Sequence, residues 1–163
     1  MDHSLKTGFS FGLTSGIITT LGLIVGLHSG THSEGAVLGG ILVIAVADAF
    51  SDALGIHVSQ ESENQHTAKE VWLSTIYTFL SKFIVALTFA VPILFFKDLN
   101  TAIIVSVLWG LSLLGLFSFL MARQRKENPW GAAAEHLVIA FAVIIATHFI
   151  GDFVGAAFGG TLV

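Results

Sequence analysis

The chain lacks cysteine and is poor in charge: it has no cysteine, two prolines and two methionines, and 11% of its 163 residues are charged. The absence of cysteine excludes a disulfide scaffold, thiolate zinc sites, iron–sulfur clusters and cysteine nucleophiles. Seven Lys and Arg against 11 Asp and Glu leave no basic surface for nucleic acid. The sequence also has no phosphate loop, nucleophile elbow or His-Glu-x-x-His segment. We therefore expect neither an enzyme nor an ATPase, and no cofactor.

Apolar residues dominate what is present. They make up 54% of the chain, and the mean hydropathy is +0.85, whereas soluble proteins carry about 25% charged residues. A span needs about 20 mostly apolar residues, and backbone in lipid must satisfy its own hydrogen bonds, which favours helices. The sequence predicts an all-α integral membrane protein that forms a single domain over residues 1–163. Its five predicted spans are about Phe9–His28, Gly35–His57, Val71–Phe96, Thr101–Ala122 and Ala132–Gly160.

The lysines and arginines between the spans predict the orientation. Five of them fall on the side shared by the amino terminus and the second and fourth loops: Lys6, Lys69, Arg123, Arg125 and Lys126. The opposite side has only Lys97. Because Lys and Arg concentrate on the cytosolic side, we expect a cytosolic amino terminus and a carboxy terminus outside. As the location we expect a prokaryotic plasma membrane in preference to a vacuole.

Glycine recurs with a four-residue spacing in the first span. Gly8, Gly12 and Gly16 form one such series, and Gly22 and Gly26 continue the spacing further along. Small residues at this spacing allow helix backbones to approach closely in a membrane. The series predicts close helix packing, either inside one subunit or at the seam of a homodimer, and the sequence leaves both open.

Three charged residues lie deep within predicted spans. Asp48 and Asp52 are four residues apart in the second span and share one helix face, and Lys82 is near the middle of the third. Each would cost about 2.5–3.5 kcal/mol if it faced lipid at mid-membrane, so all three must face the interior or a wet cavity. A buried ion pair that only fixes helix packing is one interpretation. The surplus carboxylate favours the other, a site for a cation or proton.

Two further polar residues are expected at the same depth in the membrane as Asp52. Since consecutive spans run in opposite directions, Ser15 of the first span and Glu135 of the fifth fall in the same half of the membrane as Asp52. We expect both to be accessory ligands. His148 and Asp152 are also spaced i, i+4 but belong to the outer half, where we expect an electrostatic or proton-coupling role.

The available ligands indicate the class of ion. Carboxylate, hydroxyl and imidazole groups favour harder divalent ions such as Mn²⁺, Fe²⁺ or Mg²⁺. Carboxylates must lose their protons to bind a metal, so metal and proton compete for them. Four titratable residues of the cytosolic loop at 59–70 either form a solvated face or gather cations at an entrance. These residues are Glu61, Glu63, His66 and Glu70.

Three segments resemble the vacuolar iron transporter family (VIT/CCC type). They read FGLTSGIITTLGLIVGL in the first span, DALGIHVSQESE at the end of the second, and LLGLFSFLMARQRKENPWGAAAEHLVIAFAVIIATHFIG across the last two. The resemblance implies a homodimer that exports Fe²⁺ or Mn²⁺ from the cytosol in exchange for protons, along a path between protomers lined by the first helices. Carried over by position, Asp52 falls where the family commonly has a metal-contacting methionine. Glu63 and Glu135 match family glutamates at the end of the second helix and early in the fifth.

The chain also departs from the family pattern. The family's usual aspartate in the first helix, in a segment reading Asp-Gly-Leu-Thr, is assigned to Ser15 before Gly16. The cytosolic metal-binding insertion is reduced to residues 59–70, and Lys82 stands where the family's third helix is typically apolar. Carboxylates have thus moved into the second helix. We expect Asp48 and Asp52 to be the central ligands and Lys82 to act as an electrostatic gate.

Three functional interpretations follow. The first is a homodimeric, proton-coupled exporter of divalent metal, with membrane lipid, the ion and a second copy of the chain as partners. The second is a transporter or channel of the same fold for another solute, in which the Asp–Lys pair handles protons alone. The third is a membrane scaffold that transports nothing and uses its charges for assembly.

Overall fold

The computed structural model describes residues 3–158, and no strand occurs within that range. The helices are α1 (His3–Thr31), α2 (Glu34–Glu63), α3 (Ala68–Thr88), α4 (Ala90–Phe95), α5 (Leu99–Gln124) and α6 (Pro129–Phe158). Within these residues five segments are long and apolar enough to cross a membrane, the third being α3 and α4 together. The predicted all-α, five-span fold is therefore confirmed. The predicted end of the last span, Gly160, lies outside the described residues.

The third span is interrupted four residues before a proline. Helix α3 ends at Thr88 and α4 begins at Ala90, which precedes Pro92. Proline has no backbone N–H, and its ring collides with the carbonyl of the residue four positions earlier, here Thr88. The Thr88 hydroxyl is tied to the next span, because Trp109 Nε1 donates a hydrogen bond to its Oγ1 at 3.1 Å. The break therefore follows from the sequence.

The connection between α2 and α3 is shorter than the predicted loop. Helix α2 continues to Glu63, so Glu61 and Glu63 lie in its last turn, and only residues 64–67 are left between the helices. Asn64 ends α2 in the left-handed conformation, with φ 52°, which asparagine adopts readily. Thr67 begins α3 with a capping box, in which its backbone N–H donates to Glu70 Oε2 at 2.8 Å. The predicted entrance residue Glu70 thus has a structural role in capping.

Helix α1 is the central helix of the bundle. It packs against α2, α3, α5 and α6, and Ile17, Leu21 and Ile24 on it are fully buried. Large apolar side chains cover the outside of the bundle, among them Phe95 and Phe153. A surface of this kind is expected of helices that face lipid.

The glycines of α1 allow close contacts within the protomer. Gly8, Gly12 and Gly16 face α3, where an added Cβ at Gly8 would collide with the backbone of Ser74. Gly22 and Gly26 face α6, where an added Cβ at Gly26 would lie 3.3 Å from Thr147 O. The predicted close packing is therefore present inside one subunit. A homodimer stays a prediction.

The two ends of the bundle differ in charge. At one end, here called the basic end, α1, α3 and α6 begin and α2 and α5 end; Lys6 and Arg125 line a common cavity there. The other end carries His28 and His32 at the end of α1 and is here called the histidine end. The cytosolic location of the basic end stays a prediction.

Candidate cation site

Three helices each bring a polar group to the middle of the bundle. Asp48 and Asp52 lie on α2, halfway between its ends at Glu34 and Glu63. Lys82 is near the midpoint of the span Ala68–Phe95, and Ser15 is near that of Ser4–Thr31. At about 1.5 Å per residue, each group lies roughly 16–27 Å from the ends of its span. The predicted convergence of these four residues is observed.

Lys82 bridges both carboxylates. Its Nζ lies 2.5 Å from Asp48 Oδ2, forms an ion pair with Asp52 Oδ2, and donates to Ser15 Oγ at 2.9 Å. The Ser15 hydroxyl in turn donates to Asp52 Oδ2 at 2.6 Å. A lysine ammonium has three N–H donors, and three oxygens surround this one. These four residues are here called the Lys82 cluster; Lys82 itself is 1% exposed.

The two carboxylates of the Lys82 cluster outnumber its one ammonium. All the contacts just described use Oδ2, and within residues 3–158 no hydrogen bond reaches the Oδ1 of either aspartate. Asp48 Oδ2 itself has an ion pair but no hydrogen bond. The side chains of Asp48 and Asp52 are 27% and 20% exposed. One negative charge is left uncompensated on partly exposed carboxylates, which can attract a cation.

The approach to these carboxylates is along α2 and not between α1 and α3. On the α1–α3 side, Gly12 and Gly16 pack directly on Thr78, Ser81 and Lys82, so no space remains there. On the α2 side Ser51 is exposed, and Gly55 meets no other atom within 4 Å. A cation would reach the carboxylates from the outer face of α2.

Glu135 is not part of the Lys82 cluster. It lies exposed on α6, a helix that packs on α1 and α5. Within the described residues Glu135 makes no hydrogen bond and no ion pair. The structure therefore gives no contact that would support its predicted role as an accessory ligand.

His148 and Asp152 form a separate cluster at the histidine end. His148 Nε2 lies 3.5 Å from Asp152 Oδ2, and both side chains are about half exposed. The Ser29 hydroxyl contacts Asp152 Oδ1 and lies 3.0 Å from the His148 carbonyl. These residues, the Ser29 cluster, border an open cavity of about 710 Å³ through Ser29 and Asp152. Their placement away from the mid-depth carboxylates agrees with the depth predicted for them.

The predicted entrance residues pair with histidines at the basic end. Glu61 Oε1 lies 3.4 Å from His57 Nε2, and Glu63 Oε2 lies 3.2 Å from His66 Nε2. Our sequence analysis used His57 only as a span boundary and did not identify it as a site residue. The i, i+4 spacing of His57 and Glu61 was the available signal, because it places both side chains on one helix face.

The fold and the Lys82 cluster define a class of protein. Ionisable side chains held at mid-depth in a multi-pass membrane protein are characteristic of transport pathways. Residues 9–73, about two fifths of the chain, match the sequence model of the VIT family, so this part of the chain is similar to that family. The match includes Ser15, Asp48 and Asp52 but not Lys82. No curated protein matches the chain.

One detail of the motif comparison was wrong. The family segment Asp-Gly-Leu-Thr aligns letter by letter with residues 11–14, which read Phe-Gly-Leu-Thr. Phe11, and not Ser15, therefore occupies the position of the family's aspartate, and it is 43% exposed. The place of Ser15 in the site rests on its hydrogen bonds to Lys82 and Asp52 alone.

Proposed function

We propose that the protein exports divalent metal, Fe²⁺ or Mn²⁺, from the cytosol in exchange for protons, with Asp48 and Asp52 as the central ligands. The observation that carries the proposal is the Lys82 cluster, in which two partly exposed carboxylates in the middle of the bundle share a single ammonium. An uncompensated carboxylate in a membrane is costly, and a mobile cation removes that cost whenever it is bound.

The chemistry of the donors supports a hard divalent ion. The site offers carboxylate oxygens with the Ser15 hydroxyl beside them, and oxygen ligands suit Mn²⁺, Fe²⁺ and Mg²⁺ better than soft ions. Protons bind the same carboxylates. A proton gradient can therefore displace the metal, which is the physical basis of antiport.

A homodimer would complete this site. The side chains of Asp48 and Asp52 are partly exposed on α2, and at mid-depth an exposed carboxylate is better covered by a second copy than by lipid. Each Lys82 cluster carries one negative charge in excess, so two clusters facing each other would together match one divalent ion. In this arrangement Lys82 is the electrostatic gate, because its charge sets how strongly each protomer holds the ion.

Transport by reconstituted protein tests the proposal. Liposomes containing the full chain and a fluorescent indicator for Mn²⁺ should show Mn²⁺ flux that depends on a pH gradient. We expect Asp52→Asn to lower the initial rate at least tenfold, because it removes the excess charge. Asp98→Asn is the matched control, since Asp98 is an exposed aspartate at the start of α5. Flux that is unchanged in both Asp48→Asn and Asp52→Asn would show that the assigned site is wrong.

The charge of a single cluster favours a second candidate function. One protomer has one excess negative charge, which a single proton neutralises without any metal. On this reading the protein is a proton-coupled transporter or channel for another solute. Proton flux that does not respond to Mn²⁺, Fe²⁺ or Mg²⁺ would favour this candidate over the metal exporter.

A further inference from the structure

A second polar site lies at the basic end, between the end of α2 and the start of α3. It is an open cavity of about 450 Å³ whose lining includes His57, Glu61, His66 and Trp72. His57 projects from α2 toward α3, its ring packs edge-on against Trp72, and its side chain is 15% exposed. The cavity thus combines two imidazoles and a carboxylate with a route to solvent.

Thr75 holds the imidazole of His57 through Nδ1. The Thr75 hydroxyl lies 2.8 Å from the Val71 carbonyl, to which it can donate, and Thr75 Oγ1 lies 2.9 Å from His57 Nδ1. With the hydroxyl proton in the bond to Val71, Thr75 Oγ1 accepts from Nδ1, and the lone pair of the neutral imidazole is on Nε2. The opposite tautomer has the lone pair on Nδ1 and the hydrogen on Nε2.

The other ring nitrogen of His57 lies near a carboxylate. His57 Nε2 is 3.4 Å from Glu61 Oε1, and an ionised carboxylate has no proton to donate. A cation held between the two, either a proton on Nε2 or a metal ion, satisfies both. Metal-binding histidines usually donate their other ring N–H to an oxygen that fixes the ring, and Thr75 is such an oxygen here.

We propose that His57 Nε2 and Glu61 bind a divalent transition-metal ion at the basic end, with Thr75 as the positioning residue. Within residues 3–158 no group of three His, Cys, Asp or Glu is arranged to hold a metal, so the bound ion keeps water in its remaining positions. Weak binding of this kind suits a site from which the ion must leave again. His57 follows Asp52 by five residues on α2, about 7.5 Å along the axis. The inference rests on the proposed function for the class of ion, and its test does not use transport.

The chain contains a matched control for His57. Ser118 donates to the Leu114 carbonyl at 2.6 Å, and its Oγ lies 2.7 Å from His136 Nδ1. The same tautomer gives His136 a hydrogen on Nδ1 and a lone pair on Nε2. Within the described residues, however, no carboxylate pairs with His136. A histidine held in the same way but without an acid should not bind the ion.

Mn²⁺ binding to the full chain in detergent micelles tests the proposal. The parent protein for this experiment is the Asp48→Asn, Asp52→Asn, Lys82→Met variant, so that the mid-depth carboxylates do not contribute and no buried ammonium is left without a partner. Pulsed electron paramagnetic resonance detects the coupling of bound Mn²⁺ to a directly ligated nitrogen. We expect this coupling in the parent, its loss together with at least tenfold weaker binding in His57→Gln, and no change in His136→Gln. Thr75→Val should retain the coupling and weaken binding about tenfold.

The contrary results are equally definite. No nitrogen coupling in the parent, or coupling that survives His57→Gln, would overturn the assignment and leave His57 and Glu61 as a proton-bridged pair. If His57→Gln fails to fold, Glu61→Gln replaces it: weaker binding with the coupling retained supports the site, and unchanged affinity overturns it. If nitrogen coupling is observed but the protein transports no Mn²⁺, the proposed function is contradicted and the metal site at His57 and Glu61 is still supported.

Discussion

Two clusters each join a serine of α1 to an aspartate and a basic side chain on other helices, but they differ in burial. In the Lys82 cluster, Ser15 donates to Asp52, and the positive group is a lysine that is 1% exposed. In the Ser29 cluster, Ser29 contacts Asp152, and the basic side chain is His148, which is about half exposed. Each cluster therefore contains a serine of α1, an aspartate and a basic side chain.

The difference in burial changes how much each cluster contributes to the free energy of unfolding. An exposed ion pair is screened by water and contributes about 0–1 kcal/mol. A buried pair interacts strongly, and removing one partner leaves an uncompensated charge that costs about 3–5 kcal/mol. We infer that the Lys82 cluster is essential to the fold of its layer, whereas the half-exposed Ser29 cluster contributes little to stability. The predictions below test this contrast.

The largest effect is expected from Lys82→Met. The change leaves Asp48 and Asp52 facing each other without a cation, and we expect a loss of about 3–5 kcal/mol in the free energy of unfolding. Unfolding in mixed micelles with increasing SDS measures it. Lys97→Met, at an exposed lysine between α4 and α5, is the control and should change stability by less than about 0.5 kcal/mol. Equal stability of the two variants would contradict the contrast.

An intermediate effect is expected from the two serines of α1. Ser15→Ala removes a hydrogen bond to a carboxylate that is mostly buried, and we expect a loss of about 1.5–3 kcal/mol. Ser29→Ala removes the contact of the Ser29 hydroxyl with Asp152, a carboxylate that is about half exposed. Because water can hydrate this carboxylate in place of the hydroxyl, we expect a smaller loss in the free energy of unfolding. The same unfolding measurement compares them. A larger loss for Ser29→Ala would reverse our ranking of the clusters.

The smallest effect concerns an aspartate that belongs to neither cluster. The Thr101 hydroxyl and backbone N–H donate to Asp98 at the start of α5, at 2.6 Å and 2.8 Å, and lower the pKa of this carboxyl. The stabilisation of this helix start is complete above the ordinary aspartate pKa and is lost as the pH falls through the lowered value. We expect Thr101→Val to raise the pKa of Asp98 toward its ordinary range. Carbon-detected NMR titration measures it, and an unchanged value would mean that the hydroxyl has no role.

The sequence predicted the Lys82 cluster because two independent signals agreed. Helical spacing placed Asp48 and Asp52 on one face, and the cost of charge in lipid required Lys82 to meet them. Neither signal depends on details of packing. The same reasoning gave Ser15 the right depth, although its motif assignment was wrong.

Glu135 shows the limit of that reasoning. Counting residues gives a depth along α6 but not a direction around it. The described part of α6 is apolar on nearly all sides and buries only Ala133, Ala140 and Gly151. With no polar face opposite an apolar one, the sequence holds no information on which way Glu135 points.

The glycine series shows a similar limit. Gly8 and Gly26 are 18 residues apart, about five turns of 3.6 residues, and so lie on the same face of α1. In the structure α3 covers this face at Gly8, and α6 covers it at Gly26. The spacing predicted close contact, but the identity of each neighbour depends on how the helices cross.

The short connection at residues 64–67 ties α2 and α3 into one hairpin, because both of its ends are capped. Both carboxylates and the ammonium of the Lys82 cluster are carried by this hairpin, whereas Ser15 is carried by α1. Sliding the hairpin along α1 would keep the opposite charges together. Within the Lys82 cluster it would break only the contacts of the Ser15 hydroxyl, and outside the cluster it would part the close contacts of Gly8, Gly12 and Gly16 with α3. Asp48, Asp52 and Lys82 would therefore move together in such a displacement, and their buried ion pairs would stay intact.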